Sequence, residues 1–356
     1  MTLCAKYDGQ RMFSVPNVHV LSVLGTENGR WWMVLGPERA RFERFGDRER
    51  EGWQDAGMTY DDVVGAYFAQ PATPYPVPVL PTSPARRLRD ALEPVATQGW
   101  WSRPPMERLA SLGLGFFESY LWGRAAALGT PAASVVTATF GVFEHGLVSA
   151  VYVPAVSTAS RDDVLAARAD GASEAMEQLV NAADAAAVAG PLLSAIEHLD
   201  GMARPLFSAL RELPLPTSPQ GRLWRAAELV REHRGDGHLA ATIAAGLDAV
   251  EANVFTELWL GYSLGEYSGS RGWSTERIAA AVASLEARGW MRDGALTADG
   301  VRARLQLETD TDDTQSSLVA LLGSGIDELI GRAAALSERV MAAVSFPPDP
   351  RKRAAG

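Results

Sequence analysis

Six prolines fall within fourteen residues, PATPYPVPVLPTSP at 71–84, and this stretch constrains the chain more than any other. Proline locks φ and removes a backbone donor, so the run can join neither a helix nor a central strand. It is expected to be a linker, and the sequence changes character across it. From 85 to about 213 the apolar residues recur at helical spacing. ARRLRDALEPVA places Leu88, Leu92 and Val95 at i, i+4 and i+7, and SLGLGFFESYLWGRAAALG sets Leu114, Phe117, Tyr120 and Leu121 on one side. TPAASVVTATFGVFEHGLVSAVYVP reads as one helix with Thr130 as N-cap and Pro131 at its first position. Further helices follow to 213, with breaks expected near Gly190–Pro191 and Gly201. Short connections between such helices imply an antiparallel bundle.

Beyond LPLPTSPQG, GRLWRAAELVREHR is amphipathic through Leu223, Ala226, Ala227 and Val230. Gly235 is expected to end that helix, with Asp236 or Gly237 opening the next, so that GDG forms a corner. Within 263–313, a short helix ends near Gly272 and Ser274 or Thr275 caps a helix carrying Ile278, Val282 and Leu285 on one face. Two short strands, WM and ALT, flank Arg292-Asp293-Gly294, and Thr297 caps another helix. Helix, turn, helix, strand, wing, strand, helix is the order of a winged helix-turn-helix. The fold expected is therefore mainly α: a helical bundle over 85–213, then a winged-helix-containing helical domain over 221–345.

Residues 1–70 differ. HVLSVLG and RWWMVLG around TENG read as a hairpin, and MTYDDVVGAYFAQ as a short helix capped by Thr59, together a small α+β module or an upstream extension.

Several strings carry a resemblance: SVVTATFGVFEHGLV, ARPLFSALRELPLP, LWRAAELVREHRGDGHLAATIAAGLDAVEA and RGWSTERIAAAVASLEARGW. On these, residues 85–344 are similar to an actinobacterial helix-turn-helix family described as SalK-like. LEARGW followed by LTADG resembles the end of the recognition helix and the post-wing helix of MarR-type regulators. The resemblance implies a fold and transfers no catalytic residue.

Charge weighs against strong DNA affinity. The formal net charge is −10, and over 262–309 six arginines face six carboxylates, which leaves no positive field for phosphates. The candidates for DNA contact are Arg271, Thr275, Arg277 and Arg292, of which Arg277 is the strongest base reader. DNA and a second copy of the chain are the expected macromolecular partners, with the winged helix serving to bind the first or to pair with the second.

The alternative is a small-molecule enzyme or binding protein with a pocket between bundle and winged helix. Its candidates are His233 and His238 on either side of the GDG corner, Glu251, the Glu144-His145 pair and Trp122, lining a site for a small apolar ligand or a divalent metal. The spacing is not HExxH, so no cofactor is evident from a motif, and a capped structural corner is the better account of His233 and Asp236. No P-loop, GxSxG or dinucleotide fingerprint occurs. With Cys4 as the one cysteine, no intrachain disulfide or cysteine-based zinc site can form; the chain is expected in a reducing cytoplasm, with no membrane span.

Overall fold

Ser83 starts the ordered helical array: its hydroxyl accepts from Arg86 N at 3.0 Å, with Pro84 next at the first helical position. A computed structural model describes residues 80–343 and 346–351, together with Tyr60, Asp61, Val64 and Phe68. Apart from those four residues, the module expected over 1–70 and most of the 71–84 linker lie outside the described residues. The chain is mainly helical, as the periodicity predicts. In order the helices are α1 Pro84–Ala96, α2 Gln98–Trp101, α3 Arg103–Ser111, α4 Phe116–Ala125, α5 Ala133–Phe140, α6 His145–Thr158, α7 Arg161–Leu179, α8 Ala182–Ile196 and α9 Pro205–Arg211. There follow α10 Pro219–Ala244, α11 Ala249–Leu260, α12 Glu266–Gly269, α13 Thr275–Ala287, strands β1 Met291–Arg292 and β2 Ala295–Leu296, α14 Ala298–Asp313, α15 Ser316–Leu322 and α16 Ile326–Ala342.

The array is organised around α10, a helix of 26 residues and roughly 39 Å, which packs against α1, α7, α8, α9 and α14. Its N-terminal half contributes Leu223, Trp224, Ala226, Ala227 and Val230 to the main core. Leu88, Leu92 and Val95 of α1 join the same core, and so do Leu329, Ala333, Leu336 and Val340 of α16. Residues 214–218 thus connect elements of one core, since side chains from both sides of them pack together. A second, smaller core takes Ala241 from the C-terminal end of α10, Val250, Val254 and Phe255 from α11, Ile278, Ala281 and Leu285 from α13, Met291 from β1 and Leu307 from α14.

Four expectations need correction. The GDG stretch is not a corner, because α10 runs through it unbroken. Two glycines in a helix interior cost about 1 kcal/mol each in propensity, and tertiary contacts override that cost. The Asp236 carboxylate accepts from Phe207 N at 3.0 Å, holding the first turn of α9, while a Cβ on Gly237 would lie 2.2 Å from Thr314 Oγ1. Close approach of neighbouring segments is what the glycine permits. The break expected at Gly190–Pro191 is likewise absent: α8 continues through Pro191, with both residues exposed. The long helix expected from Thr130 is two helices. Gly141 takes φ +68° and ends α5, and Glu144 caps α6 by accepting from Leu147 N. Thr130 and Pro131 precede α5, whose N-cap is Ala132, and the Pro131 carbonyl accepts from Tyr152 Oη at 2.8 Å.

The hairpin is present as expected. Met291 pairs with Leu296 and Arg292 with Ala295, antiparallel, around Asp293 and Gly294 at φ +50° and +78°. Positive φ at both central residues matches the twist of the flanking strands.

Candidate nucleic-acid interface

The second core fixes the relative positions of α11, α12, α13, the hairpin and α14. Asp248 and Glu251 form a reciprocal capping box at the start of α11: Asp248 Oδ1 accepts from Glu251 N, and Glu251 Oε2 from Asp248 N, both at 2.8 Å. Glu251 also accepts from Ser284 Oγ of α13 and lies 3.7 Å from Arg288 Nη2. Its role here is therefore to tie α11 to α13. The pattern Asp-Ala-Val-Glu at 248–251 is a capping-box signature that the sequence displays openly.

Between α11 and α13 the turn is held by a fully buried carboxylate. Glu257 Oε1 accepts from Tyr267 N at 2.9 Å and Oε2 from Ser268 Oγ at 2.7 Å. Burial pushes the Glu257 carboxyl up to about 7, against the hydrogen bonds that favour its charged form. Ser274 caps α13 by accepting from Arg277 N. Ile278, Ala281 and Leu285 then face the core, which leaves Thr275, Glu276, Arg277, Ala279, Ala280 and Ala283 exposed.

Of the four residues singled out for DNA contact, three stand on the outer surface of this unit. Thr275 and Arg277 occupy the first turn of α13, with Arg277 Nη2 3.6 Å from Asp248 Oδ2 and its guanidinium 5.7 Å from the Trp273 ring centre. Arg292 is exposed on β1. Arg271 points elsewhere. Its guanidinium lies 3.8 Å over the Tyr267 ring and 5.8 Å from that of Phe143, while its carbonyl accepts from Glu144 N at 2.8 Å. With Asn253 and Trp273, which both donate to the Val142 carbonyl, it forms the seam between the helix-turn-helix and the α5–α6 connection.

The residues proposed for a ligand pocket do not converge. His233 and His238 lie five positions apart on one helix and have different partners: His233 Nδ1 is 2.8 Å from Gln315 Oε1, His238 Nδ1 is 2.9 Å from Thr311 Oγ1. Burial drives both imidazoles down to about 4, so each is neutral at pH 7. His145 is exposed, with Thr137 Oγ1 at 3.1 Å and Ser149 Oγ at 3.4 Å. Trp122 is a core residue whose Nε1 donates to the Ala159 carbonyl. Among the described residues no group of three His, Cys, Asp or Glu side chains is arranged to hold a metal ion.

What sequence reasoning missed is an ionic seam between the bundle and α14. Glu308 on α14 receives Arg86 Nη1 of α1 at 2.8 Å, Arg234 Nη2 of α10 at 3.0 Å and Arg304 Nη1 of its own helix at 2.6 Å, and Arg234 also reaches Asp312 at 3.1 Å. All five side chains are buried. Burial alone would raise the Glu308 carboxyl, but Arg304, Arg234, His238 and Arg86 outweigh it and hold it well below the usual range. A related set surrounds Trp100, where Arg124 and Arg231 share Glu232, and Arg231 reaches Glu93. The signal was Arg86 and Arg89 falling beside Leu88 and Leu92 in α1; on charge alone they read as a solvated edge.

No curated protein and no solved structure gives a significant match to the chain. A family model does, over residues 85–347, which takes in the helices α1 to α16 from the second residue of α1 onward, and on that match the chain belongs to a helix-turn-helix family.

Proposed function

We propose that the chain is a DNA-binding regulator of the winged-helix type, with α12 and α13 as its helix pair, residues 291–296 as its wing and the surrounding bundle as its sensing part. The observation that carries this reading is the exposed first turn of α13, where Thr275 and Arg277 project from a helix whose opposite face is packed in its own core. In this arrangement the N-terminal residues of the second helix meet base edges in the major groove, and the hairpin lies toward the neighbouring groove. Arg277 is suited to guanine O6 and N7, and Arg292 to a phosphate. A regulator of this kind acts on paired half-sites as a two-fold dimer.

The sensing role is supported by a contiguous aromatic group. Phe117, Tyr120, Phe140 and Phe143 pack edge-on, tilted or stacked with ring centres 5.8–6.5 Å apart, and Arg124 lies 4.4 Å from the Phe140 ring centre. Phe143 in turn meets Arg271 of the helix-turn-helix seam. A small apolar ligand displacing one of these rings would shift the surface on which α12 and α13 rest.

The test is selection of bound duplexes from a randomised library, followed by fluorescence-anisotropy titration of the enriched sequence. Recovery of a two-fold motif supports the reading, and Arg277→Ala then weakens binding to that motif by about 1–3 kcal/mol while relaxing one base position. A library that emerges unenriched overturns it.

A further inference from the structure

The last described residues cross from the bundle to the helix-turn-helix. Phe346 is 5% exposed and belongs to the main core, with the side chains of α16. Five residues later Arg351, itself 4% exposed, lays its guanidinium 3.7 Å over the ring of Tyr262, the second residue after α11. Asp349 sets that guanidinium in place: its oxygens accept from Arg351 Nε at 3.1 Å and Nη2 at 2.9 Å, and Oδ1 also accepts from Arg351 N. The seat continues inward. Tyr262 leans on Tyr267 with ring centres 5.8 Å apart, Tyr267 carries Arg271 on its ring, and Tyr267 N is bound by Glu257. Trp259 and Leu80 close the sides of this small cluster. Two packed tyrosine rings held between two guanidiniums therefore run from the C-terminal segment to the α12–α13 turn: Arg351, Tyr262, Tyr267, Arg271.

From this placement we propose that residues 346–351 form a clamp, rooted in the bundle core through Phe346 and seated on Tyr262 through Arg351, which holds the α11–α12 turn in its pose against the bundle. The turn needs such an aid. Helix α12 has four residues and its ends are flanked by Gly265 and Ser270, so its own hydrogen bonds give it little rigidity, and short turns of this kind lie at the low end of local stability. The clamp supplies a planar cation on an aromatic face, an interaction whose strength depends on the ring and the guanidinium together. Because the chain segment is anchored on both sides of the boundary, its release frees the turn without dismantling either core. The inference holds whether or not the unit reads DNA.

The experiment is amide hydrogen exchange on the full chain without DNA, comparing wild type with Arg351→Ala, Arg351→Lys and Tyr262→Leu. Arg351→Ala should speed exchange of amides in 262–271 by about two- to thirtyfold, the range a single stacked cation accounts for, with peptides from α8 and the first half of α10 unchanged. Arg351→Lys keeps the charge and loses the bidentate fork to Asp349, and should fall between. Tyr262→Leu should reproduce the local effect, and adding Arg351→Ala to it should change nothing more. Unchanged exchange in 262–271 overturns the clamp. So does a uniform rise throughout the chain, which would assign Arg351 to general stability instead.

Discussion

Glu308 concentrates the energetic character of this protein in one side chain. Three guanidiniums from α1, α10 and α14 converge on it out of contact with water. A buried ion cluster of this kind adds little over an apolar core of the same shape, yet removing one member strands the others. Glu308→Gln is therefore expected to lower unfolding free energy by about 3–5 kcal/mol, measured by urea denaturation at pH 7. His233, buried, and His238, half-buried, set a pH dependence of definite sign. Their pKa values in the folded chain are lowered to about 4 from an ordinary 6.5, so the stability they contribute is present above pH 6.5 and is lost as pH falls toward 4. Glu257, raised to about 7, works the other way: its contribution is full below pH 4.5 and is lost as pH rises through 7. His238→Gln should consequently reduce the stability lost between pH 6.5 and pH 4.5, as followed by denaturant midpoints at the two pH values. An unaltered loss would show that His238 is not the titrating group.

Among the elements, α10 shows where reading by propensity succeeds and where it fails. Its amphipathic first half, Leu223 to Val230, is legible because apolar spacing reports a buried face directly. The GDG stretch misleads because a glycine required for close approach looks the same in sequence as one required for a left-handed end. The structure separates the two glycines. Gly235 has open space apart from Glu232 Oε2 at 3.6 Å, whereas a Cβ on Gly237 meets Thr314 at 2.2 Å and Arg204 Nη1 at 2.9 Å. Gly235→Ala should then raise the unfolding free energy by about 0.5–1 kcal/mol, and Gly237→Ala should lower it despite the same gain in propensity. Thermal or urea unfolding of the pair checks both signs together. The hairpin and the caps at Ser274 and Thr297 were legible for a different reason: turn and capping chemistry is local, so residue type alone specifies it. Pro191 was not legible as a helix interior residue, since the packing of α8 on α10 is a long-range fact.

For the molecule as a whole, side chains from before residue 213 and after residue 221 share one core, and that sharing is not visible in the order of the elements. The return of α16 onto α1 is a contact between opposite ends of the described helices, which no local pattern encodes. The candidate site divides in the same way. Thr275, Arg277 and Arg292 were reachable from the sequence because they follow from element order, while the inward turn of Arg271 and the separate partners of His233 and His238 depend on tertiary packing. Charge distribution yields one prediction at this scale. Arg288 donates to the Ala245 and Gly246 carbonyls, Arg302 pairs with Asp299 and Arg277 lies 3.6 Å from Asp248, so most exposed arginines of the helix-turn-helix are engaged by neighbours. DNA binding should accordingly release few counterions, with log K falling against log salt at a slope no steeper than about −3. Titrations between 50 and 200 mM salt, roughly the range over which such slopes are resolved, decide it; a slope near −6 would mean that other basic residues make the contact.

The seam of arginines and carboxylates along α14 also restricts how this protein can change over time. A neutral replacement at Arg234, Asp312 or Glu308 abandons a partner that has no water to turn to, so isolated changes there should cost more stability than matched exchanges made on two helices at once. Relatives that diverge freely over their surfaces should therefore drift at these positions in correlated steps, and that covariation would betray the interlock between bundle and α14 before any of their structures were known.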